Sequence, residues 1–185
     1  MMKAFCRSTA LIFMAVAGCD RESKVPPPQI RRPPPSLMRA LQETPLEPLA
    51  SKKTNHVYRF ICNRTFHEPF CIVLRVGPDG SGVLTGKMLS RAGGSTFGSI
   101  KEQHDAMITA AKVSSFLTLL DQENFWKLES GDDKIGADGS WWFIEAVRTN
   151  HYQFVDRWTP ETNTPVGRIG RRLIEMAESK IENVY

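Results

Sequence analysis

Apolar and polar positions alternate in short runs over most of the chain. "HVYRFIC" and "PFCIVLRV" are rich in β-branched and aromatic residues and read as strands. In the second, Phe70, Ile72, Leu74 and Val76 share one face and Arg75 lies on the other. "GPDGSG" is a turn by its Pro, Asp and Gly content, so "VLTGKML" is the return strand of a hairpin. "SRAGGSTFGS" reads as a loop. "HDAMITAAKV" reads as a further strand, with helix as the alternative.

The period then changes. In "SSFLTLLDQENFW", Phe116, Leu119 and Leu120 recur at helical spacing behind Ser114 or Ser115 as cap, and Phe125 and Trp126 would close the helix onto the sheet. "ESGDDKIGADGS" is loop. "SWWFIEAV" and "YQFVDRW" form a second hairpin through "RTNH", where Asn150 tolerates positive φ. "TPVGRIGRRLIEMAESK" is an amphipathic helix with Pro165 in its first turn and Val166, Ile169, Leu173, Met176 and Ala177 as its apolar stripe. The pattern predicts an α+β fold: an antiparallel sheet of two hairpins with helices packed on one face.

The second hairpin has two possible registers. With Thr149 and Asn150 as the central turn residues, Arg148 faces His151, Glu145 faces Phe154 and Trp142 faces Arg157. Glu145 and Arg157 then lie on opposite faces. A turn longer by one residue would put them on one side.

Proline changes the picture at the N-terminal end. Eight of the twelve prolines fall between Asp20 and Lys53, in "PPPQIRRPPP" and the stretch after it. Triple prolines favour extended polyproline II and exclude helix and central strand. Residues 19–53 therefore read as a semi-rigid tether, with "SLMRALQE" able to form a helical turn or two against the domain. Residues 54–185 form the globular domain. Arg31 and Arg32 beside the prolines offer a second reading, a ligand for a partner domain.

Ahead of the tether, Lys3 and Arg7 precede a short apolar run that ends in Val16-Ala17-Gly18-Cys19. The run is too short to span a bilayer and suits the h-region of a signal peptide. The four residues resemble the lipobox of bacterial lipoproteins. That resemblance implies a signal peptide over 1–18, cleavage before Cys19, and fatty acylation of Cys19 with diacylglycerol and an N-acyl chain such as palmitate. It also implies a lipid-anchored protein facing the periplasm of a bacterial envelope. Asp20 resembles the inner-membrane retention signal of enterobacterial lipoproteins, which leans the choice of membrane inward.

Charge and cysteine content fit that compartment. The net charge is +4 over 185 residues and falls by two once Lys3 and Arg7 are removed, so nothing argues for nucleic acid. Cys62 and Cys71 remain after Cys6 and Cys19 are assigned to the leader and the lipid. An even pair in an oxidising compartment predicts a disulfide, with two buried free thiols as the alternative.

Enzyme signatures are few. The sequence holds no Gly-x-Ser-x-Gly elbow, no His-Glu-x-x-His, no Walker loop and no dinucleotide fingerprint. His56, His67, His104 and His151 stand at no metal-ligand spacing, so no metal and no cofactor are expected. Asp132, Asp133 and Asp138 have the flavour of a calcium loop, but Lys134 and Ile135 interrupt the alternation it requires.

The most distinctive stretch runs from Gly136 to Pro160. Gly136, Asp138, Gly139, Trp142, Glu145, Tyr152, Arg157, Trp158 and Pro160 resemble a pattern in uncharacterised proteobacterial exported proteins. The resemblance implies a fold and no mechanism. Trp141, Trp142, Glu145, Asp156, Arg157 and Trp158 are the candidate binding residues, against a structural reading in which Glu145 and Arg157 pair on a sheet face. Two functions follow. One is a non-catalytic envelope module that binds a protein, such as an immunity or inhibitor lipoprotein. The other is an envelope hydrolase or small-ligand carrier with a site near Glu145, Asp156 and Arg157.

Overall fold

The computed structural model describes residues 29–51, 56–91 and 96–178. The signal peptide, Cys19 and residues 19–28 of the expected tether lie outside the described residues. Six strands form one antiparallel sheet: β1 (His56–Arg64), β2 (Phe70–Val76), β3 (Gly82–Leu89), β4 (Ile100–Ile108), β5 (Ser140–Arg148) and β6 (His151–Trp158), in the spatial order β4-β3-β2-β1-β5-β6. The fold is α+β. The sheet exceeds two hairpins because β1 pairs on both sides, with β2 and with β5.

Helix α2 (Ala110–Gln122) starts earlier than its serines suggest. The Thr109 side chain accepts from the Lys112 amide and caps it. The ambiguous stretch "HDAMITAAKV" therefore divides at Thr109, strand before and helix after. Helix α3 (Pro165–Met176) is capped by Thr164, whose side chain accepts from the Gly167 amide. Val113, Phe116 and Leu120 of α2 pack with Ile169 and Leu173 of α3 over Tyr58, Phe60, Ile72 and Trp142 on the first face of the sheet. Gly170 permits this approach, since a Cβ there would lie 2.4 Å from Trp142 Cζ3.

The second face is apolar as well. Val57, Ile61, Val73, Phe143, Val147 and Phe154 point to it. A strand buried on both faces needs two covers, and residues 29–51 supply the second. Helix α1 (Pro35–Ala40) and a 3-10 turn at Glu47–Ser51 lie here, with Leu37, Leu41 and Leu46 buried among the sheet residues. The helices are thus not confined to one face, and the described part of the expected tether is a strap packed on the sheet. Its prolines leave backbone that needs no ladder partner, while its leucines fill the core.

The expected Cys62–Cys71 disulfide is not formed; both are buried free thiols. Ile61 faces Cys71 and Cys62 faces Phe70, so the two thiols belong to opposite faces. Cys62 joins the first core and Cys71 the second. A sheet backbone separates them, and no rotamer bridges it.

Candidate functional site

Thr149 and Asn150 both take positive φ, which makes the two-residue turn that fixes the β5–β6 register. Arg148 faces His151, Glu145 faces Phe154, Phe143 faces Asp156 and Trp142 faces Arg157. Trp141, Glu145, Asp156 and Trp158 therefore lie on the second face, beneath the strap. Trp142 and Arg157 lie on the first. The structure brings four of the six candidates to one side and splits Glu145 from Arg157.

Beneath the strap Glu145 meets a residue that the sequence reading passed over. Arg59 of β1 faces Glu145 across the ladder and is fully buried. Its Nη2 donates to Glu145 Oε1 at 2.9 Å, and its Nη1 to Glu43 Oε2 at 3.1 Å and the Thr44 carbonyl at 2.7 Å. Lys87 Nζ donates to the other Glu43 oxygen at 2.6 Å and to the Leu41 carbonyl at 2.9 Å. The result is a four-member chain, Lys87–Glu43–Arg59–Glu145, joining strap to sheet. Burial alone would lower the Arg59 pKa, but Glu145, with Cys71 and Glu43 behind it, outweighs that and holds it above the ordinary value.

The second oxygen of Glu145 accepts from Tyr152 Oη at 3.3 Å, and Tyr152 Oη accepts from Arg32 Nη1 at 2.6 Å. Burial, aided by Glu145, pushes the Tyr152 phenol up to about 12. Both carboxylate oxygens of Glu145 are therefore held by donors, one of them a fixed cation. A carboxylate so occupied is a poor general base. A cavity of about 260 Å³ opens beside it, lined by Arg32, Pro33, Met38, Arg59, Glu145 and Tyr152 among others.

Further along β6 the strap is held by stacking. The Arg31 guanidinium carbon sits 4.7 Å from the Trp141 ring centre, and that of Arg32 4.0 Å from Phe154. The Arg31 amide donates to Asp156 Oδ1 at 3.1 Å. Asp156 is fully buried, and its Oδ2 has no partner. Burial raises its pKa, and the Arg31 amide and nearby arginines only partly offset this.

Arg157 belongs to a different place. It donates to the carbonyls of Glu129, Ser130 and Asp156, and its Nε lies 3.5 Å from Asp132. It lines a separate cavity of about 220 Å³ with Lys134, Glu161 and Thr164. Trp142 is core, its Nε1 donating to Ser140 Oγ at 2.9 Å. The glycines of the distinctive stretch serve Trp158: a Cβ on Gly136 or Gly139 would collide with its ring.

The signal for Arg59 was present in "HVYRFIC". Val57 and Ile61 flank it on one face while Tyr58, Phe60 and Cys62 fill the other, so a charge between them has to be buried and paired. No protein-family model matches the chain, and no significant match is found among curated proteins.

Proposed function

We propose that the chain is a bacterial envelope lipoprotein, anchored through Cys19, whose folded domain is a non-catalytic module that binds another protein. An immunity or inhibitor protein is the concrete form. The proposal keeps the signal peptide over 1–18, the periplasm-facing anchor and the kinship with exported proteobacterial proteins suggested by Gly136 to Pro160. The observation that carries the non-catalytic reading is the state of Glu145. Both its oxygens are spent on Arg59 and Tyr152, while Arg157 lies across the sheet. The three residues of the hydrolase reading do not converge on one cavity. The cavity beside Glu145 favours a small-ligand carrier over a hydrolase as the second reading.

Metabolic labelling with palmitate tests the anchor. Label in the unaltered chain and its loss in Cys19→Ala support the proposal. Equal labelling of the variant overturns it. In-cell photo-crosslinking from exposed positions then tests binding, and a discrete adduct with one other envelope protein is the expected product.

A further inference from the structure

Large apolar side chains left in water are few among the described residues: Ile30, Phe66, Val83, Met107 and Ile135. Their placement is uneven. At one end of the sheet β1 finishes at Arg64, opposite Ser140 where β5 begins, and β6 finishes at Trp158 beside Trp141. Phe66 lies in the turn after β1, Ile135 in the segment before β5, and Ile30 where the strap enters. These segments touch. Thr65 donates from its amide and its hydroxyl to the Gly139 carbonyl, each at 2.9 Å. Gly131 lies so close to the strap that a Cβ on it would stand 2.5 Å from the Gln29 carbonyl oxygen. Ile30, Phe66 and Ile135, exposed by 57%, 63% and 67%, thus belong to one loop cluster. Single exposed apolar residues need no explanation, but several on one end mark an interaction surface. Val83 and Met107 face each other at the opposite end, where β3 starts and β4 finishes.

We propose that this loop cluster is the face the domain turns to the membrane. Ile30, Phe66 and Ile135 then insert at the headgroup–acyl boundary of the bilayer that holds the Cys19 lipid. The inference rests on the lipid-anchor reading and goes beyond it by orienting the domain.

The length of the tether favours this end. The described chain starts at Gln29, inside the cluster, and ten residues, 19–28, lie between it and the lipid. Ten residues span at most about 35 Å when fully extended. The nine residues of β5 make the sheet about 30 Å long. Bringing Val83 and Met107 to the lipid would run the tether back along the whole domain and use nearly all its reach. Bringing the loop cluster there uses almost none.

The contact is apolar. Asp133, Lys134 and Asp138 are exposed around Ile135 and sum to a negative charge, so anionic headgroups do not recruit this face. Three side chains would not hold a free domain on a bilayer. For an anchored one the contact is intramolecular, and the lipid supplies the effective concentration. The β5–β6 turn and the far end of the sheet then point away from the membrane, open to a protein partner.

Depth-dependent quenching tests the orientation. The acylated protein, its lipid confirmed by intact mass, carries Phe66→Cys, Ile135→Cys or Met107→Cys labelled with nitrobenzoxadiazole. Cys62 and Cys71 are buried and stay unlabelled in the folded domain. Each protein is reconstituted in phosphatidylcholine vesicles with and without a lipid bearing a doxyl group high on its acyl chain. Labels at positions 66 and 135 should be quenched several-fold more than the label at 107. Adding phosphatidylglycerol should not increase the difference, and adding Phe66→Asp should reduce quenching of the label at 135. Equal quenching at all three positions, none at any, or more at 107 overturns the proposal. So does an unquenched label at 135 when a photo-crosslinker there yields a protein adduct in cells, because the patch is then a partner's. A chain that purifies without acyl groups overturns the anchor reading itself, whereas an acylated chain with unquenched labels overturns the orientation alone.

Discussion

Replacing Arg59 by methionine keeps most of the side-chain volume and removes the charge that ties the strap to the sheet. The structure gives three contacts to lose, to Glu145, Glu43 and the Thr44 carbonyl. Hydrogen bonds to charged groups each contribute about 1.5–3 kcal/mol. Their sum overstates the loss, because Glu43 keeps Lys87 and Glu145 keeps Tyr152. Removing one member of a buried pair costs about 3–5 kcal/mol, most of it from the stranded carboxylate. That is a large share of the 5–15 kcal/mol that holds a typical domain together. In urea, with an m-value of about 2 kcal/mol/M, the midpoint should fall by roughly 1.5–2.5 M at unchanged m. The companion Arg59→Met/Glu145→Met variant carries the sharper expectation. Once both charges are gone nothing is stranded between them, and the double variant should be no less stable than Arg59→Met alone. A single-variant loss below about 1 kcal/mol, the size of an exposed pair, would refute the network as a buried coupling. Strictly additive losses in the double variant would refute it too.

Other expectations concern groups on either side of the sheet. Cys62, pushed up to about 12 by burial, should resist alkylation in the folded protein and react only on unfolding, together with Cys71. Two thiols per domain by mass after denaturing alkylation, and a melting temperature indifferent to reductant, are the readouts; a mass lower by two protons that reductant abolishes would contradict them. Asp156 has a raised folded pKa, so its ionised form is disfavoured in the fold. Its penalty is absent below the unfolded value of about 4, grows as pH rises from there to the raised folded value, and stays constant above it. Asp156→Asn should therefore gain stability relative to the unaltered chain between pH 4 and pH 7, measured by urea titration at both. An equal difference at the two pH values would refute the assignment.

The elements that were legible in the sequence are those with one strong local pattern. The β5–β6 hairpin was legible from "RTNH" between two strand-forming runs; its register was not, since two were open and only the positive φ of both Thr149 and Asn150 decides between them. The stripe of α3 was legible as well, since Pro165 and five apolar positions agree. What was not legible depended on both faces of β1 and β5 being buried at once. A strand pattern reports alternation, and "HVYRFIC" alternates poorly because both of its faces are apolar. That observation, carried through, calls for a second cover and for a partner to Arg59. The strap was read as tether because proline dominates its composition, while Leu37, Leu41 and Leu46 carry its packing. The disulfide was inferred from compartment and count, and neither knows about faces.

The strap also sets the order in which this fold can finish. It precedes the sheet in the chain, yet Arg31 finds Asp156 at 125 residues' separation and Arg32 finds Tyr152 at 120. During synthesis it leaves the ribosome before any strand, and the surface it settles on is incomplete until the β5–β6 hairpin exists. Contacts this distant carry the loop-closure cost of nearly the whole domain and form late. Until then the second face of β1 and β2 stays open to water, so no half-made version of this domain is a finished one. The chain stays pliable until its last hairpin is made, and it closes by joining its earliest segment to its newest.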